Sequence, residues 1–150
     1  MEHMKKLALL LLLLPSLAFA DEKTYGYAVA TVVSVHDGDT ITVDLDGEWP
    51  ELIGEHIGVR VDGVDTRELS KGGEPAKAFV EKLLPKGSKV RLHEMKRDKY
   101  FRIVAKVGFH CNDLDLENPL CSDLAATLIT KKYGVPYDGG EKKPFPREVK

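Results

Sequence analysis

Asp39 and Asp65 each stand just past a glycine corner, in His36-Asp37-Gly38-Asp39-Thr40 and in Asp62-Gly63-Val64-Asp65-Thr66. Oxygen ligands brought in from two such corners suit a hard cation such as Ca²⁺, which takes carboxylates, backbone carbonyls and waters together. A hairpin turn by itself asks for Asp-Gly, which accounts for Asp37-Gly38 but leaves Asp39 unexplained. Glu68 follows Asp65 by three residues and is a candidate to accept a proton from a water near such an ion. Arg60 and Arg102 add planar guanidinium forks, suited to holding phosphate oxygens as charge builds on them. Taken singly, each of these residues is more often a surface ion-pairing group. Together they are an inventory for cutting a phosphodiester. Strict alternation along a strand puts Arg60 and Asp65 on opposite faces; Gly63 permits a bulge or turn that would bring them together, which spacing alone does not establish.

The elements that must position these groups are read from periodicity. Residues 25–35 and 40–45 are rich in β-formers and flank the Asp-Gly corner, which predicts a hairpin. Residues 57–64, 89–95 and 102–109 give three more strands. Glu74-Pro75 opens a helix whose apolar set is Ala76, Phe79, Val80, Leu83 and Leu84, and Pro85 with Gly87 stops it. Ser122 is the expected cap of a second helix carrying Leu124, Ala125, Leu128 and Ile129, ended by Gly134. A helix between the third and fourth strands of a five-stranded antiparallel set predicts an α+β, mainly β, OB-fold: a Greek-key barrel with two to three packed helices. The stretch between the second and third strands reads as polar loop, and Asp44-Leu45-Asp46-Gly47-Glu48 lacks the register of an EF-hand.

Residues 1–20 read as an export signal, with a basic start, an apolar run over 7–17, and Ala18-Phe19-Ala20 before the expected cleavage. The run is shorter than the ~20 residues of a spanning helix, so no membrane insertion is expected after cleavage. The residue directly after the cleavage point is Asp21 and not cysteine, which argues against a lipid anchor. Residues 21–138 then suit one domain, and 139–150 a solvated polar tail. Lys5, Lys6 and Glu2 leave with the signal, making a chain of formal charge −2 one unit more acidic. That sum hides two patches: residues 37–68 hold ten acids against two arginines, whereas residues 86–102 hold seven Lys and Arg against Glu94 and Asp98. A secreted or periplasmic location favours a Cys111–Cys121 disulfide. His110 with the two cysteines would be three soft metal ligands lacking a fourth.

Four ordered motifs, Val-His-Asp-Gly-Asp-Thr-Ile-Thr-Val, Val-Arg-Val-Asp-Gly-Val-Asp-Thr-Arg-Glu, Glu-Pro-Ala-Lys-Ala-Phe and Arg-Asp-Lys-Tyr-Phe-Arg, resemble those of the staphylococcal nuclease (thermonuclease) family, from about residue 28 to 137. The resemblance implies an OB-fold and Ca²⁺-dependent hydrolysis of DNA and RNA that leaves 3′-phosphate ends. By position it assigns Asp39, Asp65 and the carbonyl of Thr66 to calcium, Glu68 to the water, and Arg60 and Arg102 to the transition state. Lys99 and Tyr100 fall where the family meets the nucleotide, and Lys89 and Lys96 are further candidates for phosphate contact. The chain departs from the family at Arg67, where proline is usual, and at Phe101, where glycine is usual. It also has a short 69–73 loop, a cysteine segment of its own, and no counterpart to a third helix in its C-terminal part. The expectation is a monomeric, exported, calcium-dependent nuclease; the alternative is a non-catalytic nucleic-acid-binding OB module.

Overall fold

The computed structural model describes residues 23–111 and 121–146. The export signal expected over 1–20, the loop between the cysteines and residues 147–150 lie outside the described residues. Along the chain run β1 (Tyr27–Asp37), β2 (Thr40–Leu45), α1 (Glu51–Gly54), β3 (Ile57–Val61), β4 (Gly63–Thr66), a 3-10 turn (Leu69–Lys71) and α2 (Glu74–Leu83). They are followed by β5 (Lys89–Arg97), β6 (Ile103–Phe109), β7 (Ser122–Asp123), α3 (Leu124–Thr130) and β8 (Gly134–Tyr137).

Alternation builds the barrel wall, because side chains two residues apart share a face. Ala30 and Val32 of β1 turn inward with Ile41 and Val43, Val59 and Val61, Val90 and Leu92, and Ala105 and Val107, all essentially without solvent contact. Each such valine, isoleucine or leucine contributes about 1.5 to 3 kcal/mol by burial. The strands pair in the order β3-β2-β1-β5-β6, and β3 also pairs with β6, so the sheet closes on itself. The result is a five-stranded barrel of the OB-fold-like, α+β class. Its closing pair is parallel, with Val59 opposite Ile103 and Val61 opposite Ala105, and not antiparallel like the rest. A ring with an odd number of strands cannot alternate direction all the way round, so one neighbouring pair must run parallel.

α2 begins with Pro75 in its first turn and lays Ala76 and Val80 on the barrel. α3 buries Leu124 and Leu128, and its Tyr133 neighbour stacks on Phe79 at 4.7 Å between ring centroids. The cap of α3 is Asp123 and not Ser122: the Asp123 carboxylate accepts the Ala126 amide at 2.6 Å, while Ser122 pairs with Phe109 in β7. The expected third strand stops at Val61. Gly63, at φ +86°, starts β4, which leaves the barrel and pairs with β8, Asp65 opposite Val135. α1 occupies part of the stretch expected to be loop. Cys111 and Cys121 are bridged, with Cα atoms 4.4 Å apart, tying the end of β6 to β7. Among the described residues no helix is long and apolar enough to cross a membrane.

Candidate active site

Asp39 is set by the β1–β2 turn, in which Asp37 lies opposite Thr40 and the Asp39 amide donates to Asp37 Oδ1 at 3.1 Å. A Cβ on Gly38 would fall 2.7 Å from Ala76 Cβ and 2.8 Å from Thr66 Oγ1. Only glycine lets the turn press so closely on α2 and β4, and that pressure seats Asp39 against Thr66. The Asp39 carboxylate accepts the Thr66 amide at 2.6 Å and its hydroxyl at 3.0 Å.

The bend at Gly63 resolves the alternation conflict. Arg60 points along the chain's own corner: Nη1 donates to the carbonyls of Val61 at 3.0 Å and Val64 at 2.8 Å, and Nη2 to Asp65 Oδ1 at 3.1 Å. Nη1 also lies 3.2 Å from Asp39 Oδ1, so one guanidinium spans both carboxylates. Asp39 is only 5% exposed and Asp65 2%. Burial pushes the Asp39 carboxyl above its usual range, an effect that Arg60 and the Thr66 amide only partly offset.

Arg102 is held by Asp98, which accepts the amides of Tyr100 at 2.8 Å and Arg102 at 3.0 Å, and Arg102 Nε at 2.8 Å. Burial works against the Asp98 carboxylate, but these bonds outweigh it and leave its pKa below the ordinary value. Asp39, Arg60, Lys99, Tyr100 and Arg102 thereby line one open cleft of about 600 Å³. Tyr100 stays 66% exposed, with the Arg102 guanidinium 5.2 Å from its ring centroid.

Glu68 stands apart from this cleft. It lines an adjoining recess with Asp65, Thr66 and Lys71, and its exposed carboxylate meets Lys71 Nζ at 2.9 Å. The hydrogen bond and charge of Lys71 hold its pKa below the ordinary value. Lys89 is also elsewhere, bonded to Asp46 at 2.6 Å, and Lys96 lies 3.9 Å from Asp62. Only Lys99 of the three expected phosphate contacts reaches the cleft.

Residues 139–146 keep the exposure expected of a tail, yet they fold back on the site. Lys142 Nζ lies 3.0 Å from Asp65 Oδ1, a contact that raises the lysine pKa. Arg67 anchors the same segment, donating to the Pro146 carbonyl at 3.0 Å with its guanidinium 5.0 Å from the Phe145 ring centroid. Tyr137 and Lys142 both line the cleft. Sequence reasoning assigned no role to Asp98, Tyr137 or Lys142. Asp98 carried a signal, since an Asp that begins a turn commonly accepts the amide two residues on.

The donor set fits a hard cation. Asp39 and Asp65 are buried, converge on one guanidinium, and offer oxygen alone. Their two cationic partners, Arg60 and Lys142, show that this corner demands positive charge. Asp39 and Asp65 would hold such an ion, which would compete with the Lys142 ammonium for Asp65. No protein-family model matches this chain, and neither does any curated protein.

Proposed function

We propose that the protein is an exported, monomeric, calcium-dependent nuclease of the staphylococcal nuclease type, hydrolysing DNA and RNA to 3′-phosphate ends. The observation that carries this reading is the convergence of Asp39 and Asp65 on the Arg60 guanidinium, at the edge of the cleft that Asp39 and Arg60 line together with Arg102. Asp39, Asp65 and the Thr66 carbonyl are the residues that would hold calcium, which when bound would supply positive charge to a phosphate oxygen. Arg60 enters from β3 and Arg102 from the turn just before β6, and the two flank the phosphate, so negative charge that grows in the transition state meets two preorganised forks. Lys99 and Tyr100 hold the neighbouring nucleotide. Water attacks phosphorus while Glu68 takes its proton, the bond to the 5′ oxygen breaks, and that oxygen takes a proton from solvent to leave as a hydroxyl. To reach that water Glu68 must leave Lys71, and an exposed ion pair of this kind contributes little, so the swing costs little. The disulfide supports an oxidising compartment, secreted or periplasmic.

A second reading, a non-catalytic nucleic-acid-binding module, is favoured by the placement of Glu68 outside the cleft and by Lys142 on Asp65. The test is hydrolysis of single-stranded DNA by the parent and by Glu68→Gln. The nuclease reading expects cleavage that Ca²⁺ restores after chelation, and a roughly 10²- to 10⁴-fold slower variant with unchanged binding. Binding without cleavage at any calcium concentration establishes the second reading instead.

A further inference from the structure

We propose that a second, apolar cleft on the far side of Arg102 is a stacking subsite for an unpaired base of the strand held in the main cleft, a proposal that rests on the nuclease reading. This cleft, of about 480 Å³, is walled by Tyr25, Trp49, Ile53 and Phe101 and rimmed by Arg97 and Arg102. Its volume suits a small planar group. Arg102 lines both clefts, so a strand whose phosphate lies against that guanidinium has a neighbouring base at the mouth of the second.

The occupant is argued from three features. Phe101 sits at φ 62°, a left-handed conformation that glycine adopts freely and a bulky side chain does not. The bonds that Asp98 makes to the Tyr100 and Arg102 amides hold this turn, and the ring it projects is 60% exposed, so it stays available at the surface and is not spent on packing the barrel. The ring has the Arg97 guanidinium 5.1 Å from its centroid and still presents surface to solvent. Trp49, 44% exposed, donates Nε1 to the Asp46 carbonyl at 3.0 Å and lines the same cleft. Finally, the rim is cationic, complementary to the phosphates on either side of a stacked base. Aromatic platforms beside arginines are how single strands are held without sequence preference, whereas bases inside a duplex are not available to them.

Trp49 is the chain's single tryptophan, so its fluorescence reads this cleft directly. The experiment titrates the full chain, with chelator present to stop hydrolysis, against a short oligothymidylate and against an abasic sugar-phosphate strand of equal length and charge. Saturable quenching of Trp49 by the first and not the second is expected, with binding by Phe101→Gly weakened roughly 5- to 100-fold. Phe101→Gly should melt no lower than the parent, since glycine relieves the left-handed strain. Equal quenching by the abasic strand, equal affinity of Phe101→Gly, or a duplex bound as tightly as the single strand overturns the proposal. So does a Trp49 signal that changes with protein concentration alone, which would assign the cleft to a second copy of this chain. Hydrolysis with Ca²⁺ is scored separately: a silent Trp49 with intact cleavage removes the subsite alone, and an intact Trp49 response without cleavage removes the catalytic reading and keeps the subsite.

Discussion

Asp98 shows how a residue outside the chemistry sets up one that takes part. Its carboxylate gathers two amides and the Arg102 guanidinium, so Arg102 reaches the cleft with its fork already oriented. Asp98→Ala should cost about 1 to 2 kcal/mol of stability at neutral pH and lower kcat more than it raises KM. Because folding depresses the Asp98 pKa, its stabilisation is present above the ordinary Asp range near ~3.9 and is lost as the pH falls through the lower folded value. Urea melts of parent and variant at neutral and strongly acid pH should therefore differ less in acid, and a constant difference would contradict this account of the bond. At this scale much of the site was legible. The types of Asp39, Asp65, Arg60, Arg102, Lys99 and Tyr100 suggested hard-ion and phosphate chemistry; the fold brings Asp39, Arg60, Lys99, Tyr100 and Arg102 to one cleft with Asp65 bonded to Arg60 at its edge, and leaves Glu68 in the adjoining recess. Asp98 could be read as a turn-opening acceptor of the amide two residues on, but that it also orients the Arg102 guanidinium is visible only once the turn is folded.

Among the elements, the corner between β3 and β4 matters most to the site. Alternation alone read residues 57–64 as one strand, since Val59, Val61 and the buried Val64 all look like core. What it missed is that Gly63, in a left-handed conformation, turns β4 out to β8 and so folds Arg60 back onto Asp65. Gly63→Ala adds a Cβ that meets only Ala125 at an ordinary 3.6 Å, so its cost is backbone strain, about 1 to 2 kcal/mol. The variant should melt lower and lose calcium affinity as the Arg60–Asp65 corner opens. A variant with unchanged stability would show that the corner tolerates a side chain and that Gly63 is not what forms it. The helices were easier to read, because α2 and α3 carry strong apolar spacing. The cap of α3 moved by one residue, as two adjacent side chains of similar capping ability compete and only backbone geometry decides.

On the scale of the whole molecule, the closed barrel followed from the element order, but the return of the C-terminal segment did not. Gly139-Gly140 and a run of lysines look like solvent-facing chain, and nothing in composition says that Lys142 will reach a buried aspartate more than seventy residues away. Lys142 occupies the charge that a calcium ion would supply, so Lys142→Ala should lower the calcium concentration needed for half-maximal thermal stabilisation. An unchanged requirement would mean that the lysine leaves Asp65 at no cost. The most direct test of the account is a calcium titration of single-stranded DNA hydrolysis by the parent and by Asp65→Asn, with folding of both checked by melting. The account predicts a saturable, chelator-sensitive rate in the parent and a loss of apparent calcium affinity of roughly 10-fold or more in the variant; parent cleavage that persists undiminished in excess chelator, or an Asp65→Asn titration that overlays the parent's, would contradict it.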